Sequence, residues 1–243
     1  MTESPSSLEA APAERVDAPD VGLALLAVGA GSMDALGFFA LGGALPSAMT
    51  GNTALLGLAL GQGNPAAAAP PFAAGLGFVL GAAVAAALLH LDLARLPVNR
   101  GVAWLLAVEA VALAGFVLAW HFVDRASPGL ALHLLILVGA AAMGIQSVAA
   151  RQDNRPGVTT VVFTSTLTSI VIALIHAALG SPHRLGFAAK RQIVMFLAYG
   201  LGAVAGGFLT LNAIEVIPFL PLIAAIAAVC LHLRPVDGRP RAP

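Results

Sequence analysis

Charge is what this chain has least of. Only 10% of its 243 residues are charged and 59% are hydrophobic, whereas a soluble domain carries about 25% charged residues. Twelve basic and twelve acidic side chains cancel to a formal net charge of zero. With no clustered field of Lys and Arg to neutralise phosphates, nucleic acid is excluded as a partner. Cysteine is nearly absent. Cys230 stands alone in the last apolar run, so no internal disulfide can form, and a small buried thiol is expected there. Catalytic signatures are missing too. There is no Gly-x-Ser-x-Gly elbow, phosphate-binding loop or Cys-x-x-Cys pair. The six histidines, His90, His121, His133, His176, His183 and His232, show no metal-ligand spacing. No cofactor, no metal and no enzymatic activity are expected.

What is present is apolar sequence in runs long enough to cross a bilayer, which takes about 20 residues. Residues 21–43, 70–91, 101–122, 129–150, 158–179, 193–211 and 213–233 all read this way, with a shorter apolar run at 44–61. The expected fold is therefore all-α, a polytopic integral membrane protein whose first partner is the lipid bilayer. Residues 1–20 are polar and acidic, with Glu3, Glu9, Glu14, Asp17 and Asp20, and read as a disordered cytoplasmic tail. A cleaved signal peptide is not expected, because Arg15 is the only basic residue ahead of the first apolar run. Residues 234–243 form a second, basic tail, leaving 21–233 as a single membrane domain.

Two stretches do not suit an ordinary membrane helix. Between Leu41 and Gly61 the apolar sequence is broken by Pro46, Ser47, Thr50, Gly51, Asn52 and Thr53. Between Thr159 and Ser169 it carries Thr160, Thr164, Ser165, Thr166 and Thr168. Backbone that leaves the helix at membrane depth needs protein or a water-filled cavity to receive its polar groups. The eight segments fall into two sets of four, about 21–122 and 129–233, each with its polar-interrupted member second. Gly75, Gly77 and Gly81 match Gly200, Gly202 and Gly206 at one offset, and such glycines suit close helix contact. Internal symmetry with interrupted segments at corresponding positions is the usual sequence pointer to a transporter binding site.

Topology follows from the basic residues, which favour the cytoplasmic side. If all eight segments cross, Arg95, Arg100, Arg151 and Arg155 fall outside. If segments two and six dip in and return, only Arg125 does. Length argues for a crossing at 158–179. The charge argument is preferred: six transmembrane helices plus two short or re-entrant segments, with both termini cytoplasmic. Three crossings per half then make the pseudo-symmetric repeats inverted. The Arg184, Lys190 and Arg191 cluster is expected to rest on anionic lipid.

Candidate chemistry sits at few positions. Asp34 lies deep in the first span, where a carboxylate costs roughly 2.5–3.5 kcal/mol on insertion scales. It reads as a proton- or ion-coupling group beside Thr50 and Asn52, or as a helix–helix hydrogen bond to Asn52 or Gln146. Glu109, midway along its span, is a partner for Asp34, a second relay or a packed glue residue. Ser47, Thr50, Asn52, Thr53, Gln146, Thr160, Thr164 and Thr166 form the candidate substrate-binding set. Thr and Asn before an apolar helix are good N-caps, and a helix N-terminus can hold a polar or anionic group. The competing reading is that the hydroxyls bond back to carbonyls one turn earlier. The function expected is a secondary transporter or permease for a small polar or anionic solute. The alternative is a membrane-embedded scaffold or regulatory subunit.

Two groups of motifs carry a family resemblance. Gly31-Ser32-Met33-Asp34-Ala35-Leu36-Gly37-Phe38, Ser47-Ala48-Met49-Thr50-Gly51-Asn52-Thr53 and Leu58-Ala59-Leu60-Gly61 resemble the N-terminal signature of the YoaK-like family of uncharacterised bacterial membrane proteins. Gly144-Ile145-Gln146 and Pro156-Gly157-Val158-Thr159-Thr160, followed by Thr164 to Thr168, resemble its second signature. Ser147 departs from the Asn, and Ser165 from the Gly, usual there. The resemblance implies an integral inner-membrane protein and supplies no activity.

Overall fold

A computed structural model describes residues 16–91, 96–123, 129–153, 163–179 and 186–234. All regular structure among them is helical: α1 (Ala18–Ala40), α2 (Met49–Gly61), α3 (Pro65–Leu91), α4 (Val98–Trp120), α5 (Leu130–Gln152), α6 (Phe163–Ala178), α7 (Phe187–Asn212) and α8 (Phe219–His232). Five of these, α1, α3, α4, α5 and α7, are long and apolar enough to cross a membrane. At about 1.5 Å per residue, the 27 residues of α3 reach about 40 Å, more than the hydrocarbon core of about 30 Å.

The ends have local causes. α1 begins within the acidic stretch read as tail. Asp17 caps it, accepting from the Asp20 amide at 3.1 Å, while the Asp20 carboxylate accepts from the Asp17 amide at 3.1 Å. This reciprocal capping box satisfies two otherwise orphaned donors. α1 stops at Gly42 and Gly43, both in the left-handed region (φ 69° and 81°), which only glycine adopts without strain. The chain then folds back, so that a methyl on Gly37 would overlap the Ala44 carbonyl. Asn64 caps α3 through the Ala67 amide at 3.1 Å. The run 213–233, read as one span, is helical only from Phe219 to His232. Turns across 213–220 precede it, with Pro218 and Pro221 at its start.

Two helix pairs meet backbone to backbone. Gly77 and Gly81 of α3 lie on Leu137 and Ala141 of α5, and Gly144 of α5 lies on Phe78 and Ala82 of α3. Gly202 and Gly206 of α7 lie on Val28 and Ser32 of α1, and Gly31 of α1 lies on Tyr199 and Ala203 of α7. Both chains advance together in each pair, so α3 runs parallel to α5 and α1 to α7. Gly75 and Gly200, expected in the same contacts, face open space. Small residues are what such interfaces need, because lipid is as apolar as leucine and gives hydrophobic burial little drive. Leu23, Leu26, Met33, Leu105, Phe116 and Trp120 fill the centre, while Val79, Leu201, Val204 and Phe208 point outward. Cys230 also points outward, correcting the buried thiol expected there.

The helix ends sort into two groups. At one end Arg191 of α7 pairs with Asp20 of α1 (Nε to Oδ1 2.8 Å). There too His232 of α8 lies 3.9 Å from Asp153 after α5 and against Gly22 of α1. At the other end His121, after α4, meets Glu215, before α8, at 3.2 Å. α1 therefore runs from the first end to the second, and α3, parallel to α5, runs back. α2 stands between two helices that meet at the second end. α6 stands between α5 and α7, which meet at the first.

Substitution tests the backbone contacts. Gly81→Val and Gly202→Val should each lower the unfolding midpoint in detergent, by about 1–3 kcal/mol of overpacking. Gly200→Ala should leave it unchanged or raise it, since alanine is the better helix former by about 1 kcal/mol. Equal effects at all three positions would show that the contacts do not decide stability.

Candidate functional site

Gly31 determines what surrounds Asp34. A side chain at position 31 would overlap the Tyr199 carbonyl, so α7 lies on α1 one turn below Asp34. The Tyr199 hydroxyl consequently reaches the Asp34 carboxylate, donating to Oδ2 at 2.6 Å. From the opposite direction comes the turn that follows α1. The Ser47 amide donates to Asp34 Oδ1 at 2.6 Å and the Ser47 hydroxyl to Oδ2 at 2.6 Å. Asp34 is 4% exposed and Ser47 2%. Three donors from two other segments converge on one carboxylate, in the short range of charge-assisted hydrogen bonds. Neither Asn52 nor Gln146, the partners expected for Asp34, makes this contact.

Asn52 does something else. Its Oδ1 accepts from the Leu45 amide at 2.9 Å and its Nδ2 donates to the Leu45 carbonyl at 2.6 Å. One side-chain amide thus bonds both backbone polar groups of a residue outside the helix, where lipid offers no substitute for the amide's acceptor. Asp34 and Asn52 together hold the turn 44–48 from its two sides. α2 starts at Met49 with no side-chain cap, so Thr50, Asn52 and Thr53 lie inside the helix rather than ahead of it. This corrects the N-cap reading. Thr50 and Thr53 are exposed, and the Thr53 hydroxyl bonds back to the Met49 carbonyl at 2.9 Å. A groove of about 340 Å³ runs between α2 and α3, lined by Met49, Asn52, Thr53, Leu56 and Phe72 among others.

The remaining candidates are dispersed. Gln146 is buried and donates across to the Leu26 carbonyl of α1 at 3.1 Å, eight residues and about 12 Å along the helix from Asp34. Thr166 is buried on α6. Thr160 and the side chain of Thr164 lie outside the described residues. Glu109 is fully buried on α4, and neither oxygen finds a hydrogen-bond partner among the described residues. It does not pair with Asp34.

Two participants escaped the sequence reading. Tyr199 is the only tyrosine in the chain, and a hydroxyl inside an apolar span was the signal available. Arg191, assigned to lipid, is instead held by Asp20 in a two-point pair whose second arm is 3.0 Å.

Apolar helices joined at both ends, with polar side chains turned inward, define a polytopic all-α membrane protein. The chain belongs to the family described as "Protein of unknown function (DUF1275)", which matches residues 22–232. It is 34% identical over 151 residues to the "UPF0700 transmembrane protein YoaK" of Bacillus subtilis (strain 168). The matched stretch covers 61% of this chain and 64% of that relative. No solved structure matches the chain. Membership of the YoaK-like family, implied by the motifs around Asp34 and Asn52, is thereby established.

Three substitutions separate the polar groups by their partners. Asn52→Leu strands the Leu45 amide, while the Leu45 carbonyl keeps the Ala48 amide at 3.2 Å, and should cost about 1–3 kcal/mol, whereas Thr53→Ala should cost little. Glu109→Leu should raise the unfolding midpoint, because it removes a polar group that no described residue satisfies. A lowered midpoint for Glu109→Leu would mean that Glu109 has a partner.

Proposed function

We propose that this chain is a secondary transporter or permease for a small polar or anionic solute, with Asp34 as its proton-coupling group. The observation that carries this reading is the position of Asp34 at the junction of α1, the turn leading into α2, and α7. Both hydroxyls donate to Oδ2. A proton arriving at that oxygen must turn one hydroxyl from donor to acceptor, or release it. Protonation would then loosen either the α2 turn or α7 from α1. A carboxylate buried within the membrane and tied to a chain break is the arrangement that proton relays use. Ser47 and Asn52 belong to this junction. Thr50, Thr53 and the α2–α3 groove are the candidate solute contacts on one side, with Thr160, Thr164 and Thr166 on the other. Gln146 steadies α1 against α5.

The reading includes six crossings, by α1, α3, α4, α5, α7 and α8, with α2 and α6 re-entrant from opposite sides. The parallel pairs support this, because α1 and α5 then run in opposite directions, as an inverted repeat requires. Charge supports it as well. The described basic residues Arg100, Arg151, Lys190, Arg191 and Arg234 all stand at the helix ends grouped with Asp20 and His232. By the preference of basic residues for the cytoplasm, that end faces inward and both termini are cytoplasmic. In a bacterial cell the membrane is the inner one.

One observation favours a second reading, a membrane-embedded scaffold or regulatory subunit. The carboxylate of Asp34 and the amide of Asn52 are both engaged by neighbouring chain, so the same contacts can serve packing alone.

Two experiments decide. Purified protein in proteoliposomes, screened against small organic anions and neutral polar solutes, should take up solute faster under an imposed proton gradient. Asp34→Asn, which keeps the shape but cannot carry the proton, should lose the gradient dependence. Unchanged uptake in that variant removes the coupling, and no uptake of any solute by the wild type favours the scaffold. Separately, single cysteines at Asn99 and His121 in a Cys230→Ala background should be labelled from the cytoplasm and from outside, respectively. The reverse pattern would overturn the cytoplasmic placement of the termini.

A further inference from the structure

We propose that the cleft between the N-terminal ends of α1 and α7 is a binding site for one anionic phospholipid, with its phosphate on Lys190 and an acyl chain along Val194. This inference is independent of the transport reading. The cleft has a volume of about 210 Å³, and its walls include Val16, Val21, Phe187, Val194 and Met195, with Lys190 beside them. Val16 is 69% exposed, Val21 46% and Val194 50%, so the groove opens sideways along both helices. Lys190 and Val194 are one turn apart on the same face of α7, which sets a cation above an apolar track.

Charge selects the occupant. Asp20 lines the same cleft, but its carboxylate is gripped by Arg191 at 2.8 and 3.0 Å. Arg191 is in turn packed over the Phe187 ring, 4.4 Å from its centroid. That pair is neutral as a unit and its guanidinium is committed. Lys190 is exposed and, among the described residues, has no carboxylate partner. A lone ammonium at the mouth of an apolar groove matches a phosphate diester attached to a hydrocarbon chain. A headgroup that carries its own cation would set that cation beside the lysine. The contact expected from one lysine near an anionic surface corresponds to roughly a five-fold preference.

The test is native mass spectrometry of the full chain in detergent, titrated with phosphatidylglycerol or phosphatidylcholine of the same acyl chains. Wild type should retain phosphatidylglycerol about five-fold more strongly. Lys190→Ala should lose that preference and Lys190→Arg should keep it. Val194→Trp, or Val21→Trp should the first not fold, should fill the track and weaken retention of both lipids. Equal retention of the two lipids by wild type would overturn the proposal. So would a preference that survives Lys190→Ala, or retention untouched by the groove-filling variant.

Discussion

Everything distinctive in this structure follows from helices that touch through their backbones. In a bilayer the outside of a helix is as apolar as the inside of a bundle, so burying leucine against leucine gains little over leaving it in lipid. Close approach gains dispersion contacts instead, and that requires residues with no side chain in the way. Gly77, Gly81 and Gly144 provide it between α3 and α5, and Gly31, Gly202 and Gly206 between α1 and α7. These contacts fix direction as well as distance. They make each pair parallel, and they leave α2 and α6 as the two helices standing between partners that meet at the same end.

The polar centre is a consequence of that packing. Asp34 needs donors because lipid supplies none, and it can have Tyr199 only because Gly31 lets α7 come close enough. Ser47 arrives by a different route: Gly42 and Gly43 turn the chain back on α1, and the amide and hydroxyl of Ser47 both land on the carboxylate. The turn itself is held for this by Asn52, whose side chain supplies the acceptor that the Leu45 amide lacks outside a helix and a second donor to the Leu45 carbonyl. A change at Gly31 would reach Asp34 without touching it, and a change at Asn52 would reach Ser47 in the same way.

The sequence made some of this readable. The break before α2 was legible because Pro46, Ser47, Gly51 and Asn52 cannot all sit comfortably in a lipid-facing helix. The close contacts at Gly77, Gly81, Gly202 and Gly206 were legible from spacing, but Gly75 and Gly200 looked the same and face open space. Inside and outside could not be told apart, since hydropathy is equal on both faces of a membrane helix. Cys230 was misjudged for that reason. The roles of Thr50 and Thr53 were misjudged because the helix begins earlier than Thr-Gly-Asn-Thr propensity suggests, once Asn52 ties back to Leu45. The hydroxyl of Tyr199 in an apolar span was visible, but its partner and that of Arg191 required knowing that α7 lies on α1, which is a tertiary fact.

The proposed repeat is matched at two glycines of each contact and broken in its chemistry. Gly77 and Gly81 stand to Leu137 and Ala141 as Gly202 and Gly206 stand to Val28 and Ser32. The same correspondence carries Asp34 to Met143 and Tyr199 to Ala74, neither of which can give or accept a proton. One half therefore ties its short helix to the bundle by a carboxylate, and the matching positions of the other half hold only apolar side chains. A pair of gates that must open in turn needs this kind of inequality. If both were latched alike, a single proton could not favour one side over the other. In the transport reading, the loss of symmetry around Asp34 is what confines the effect of one proton to one half.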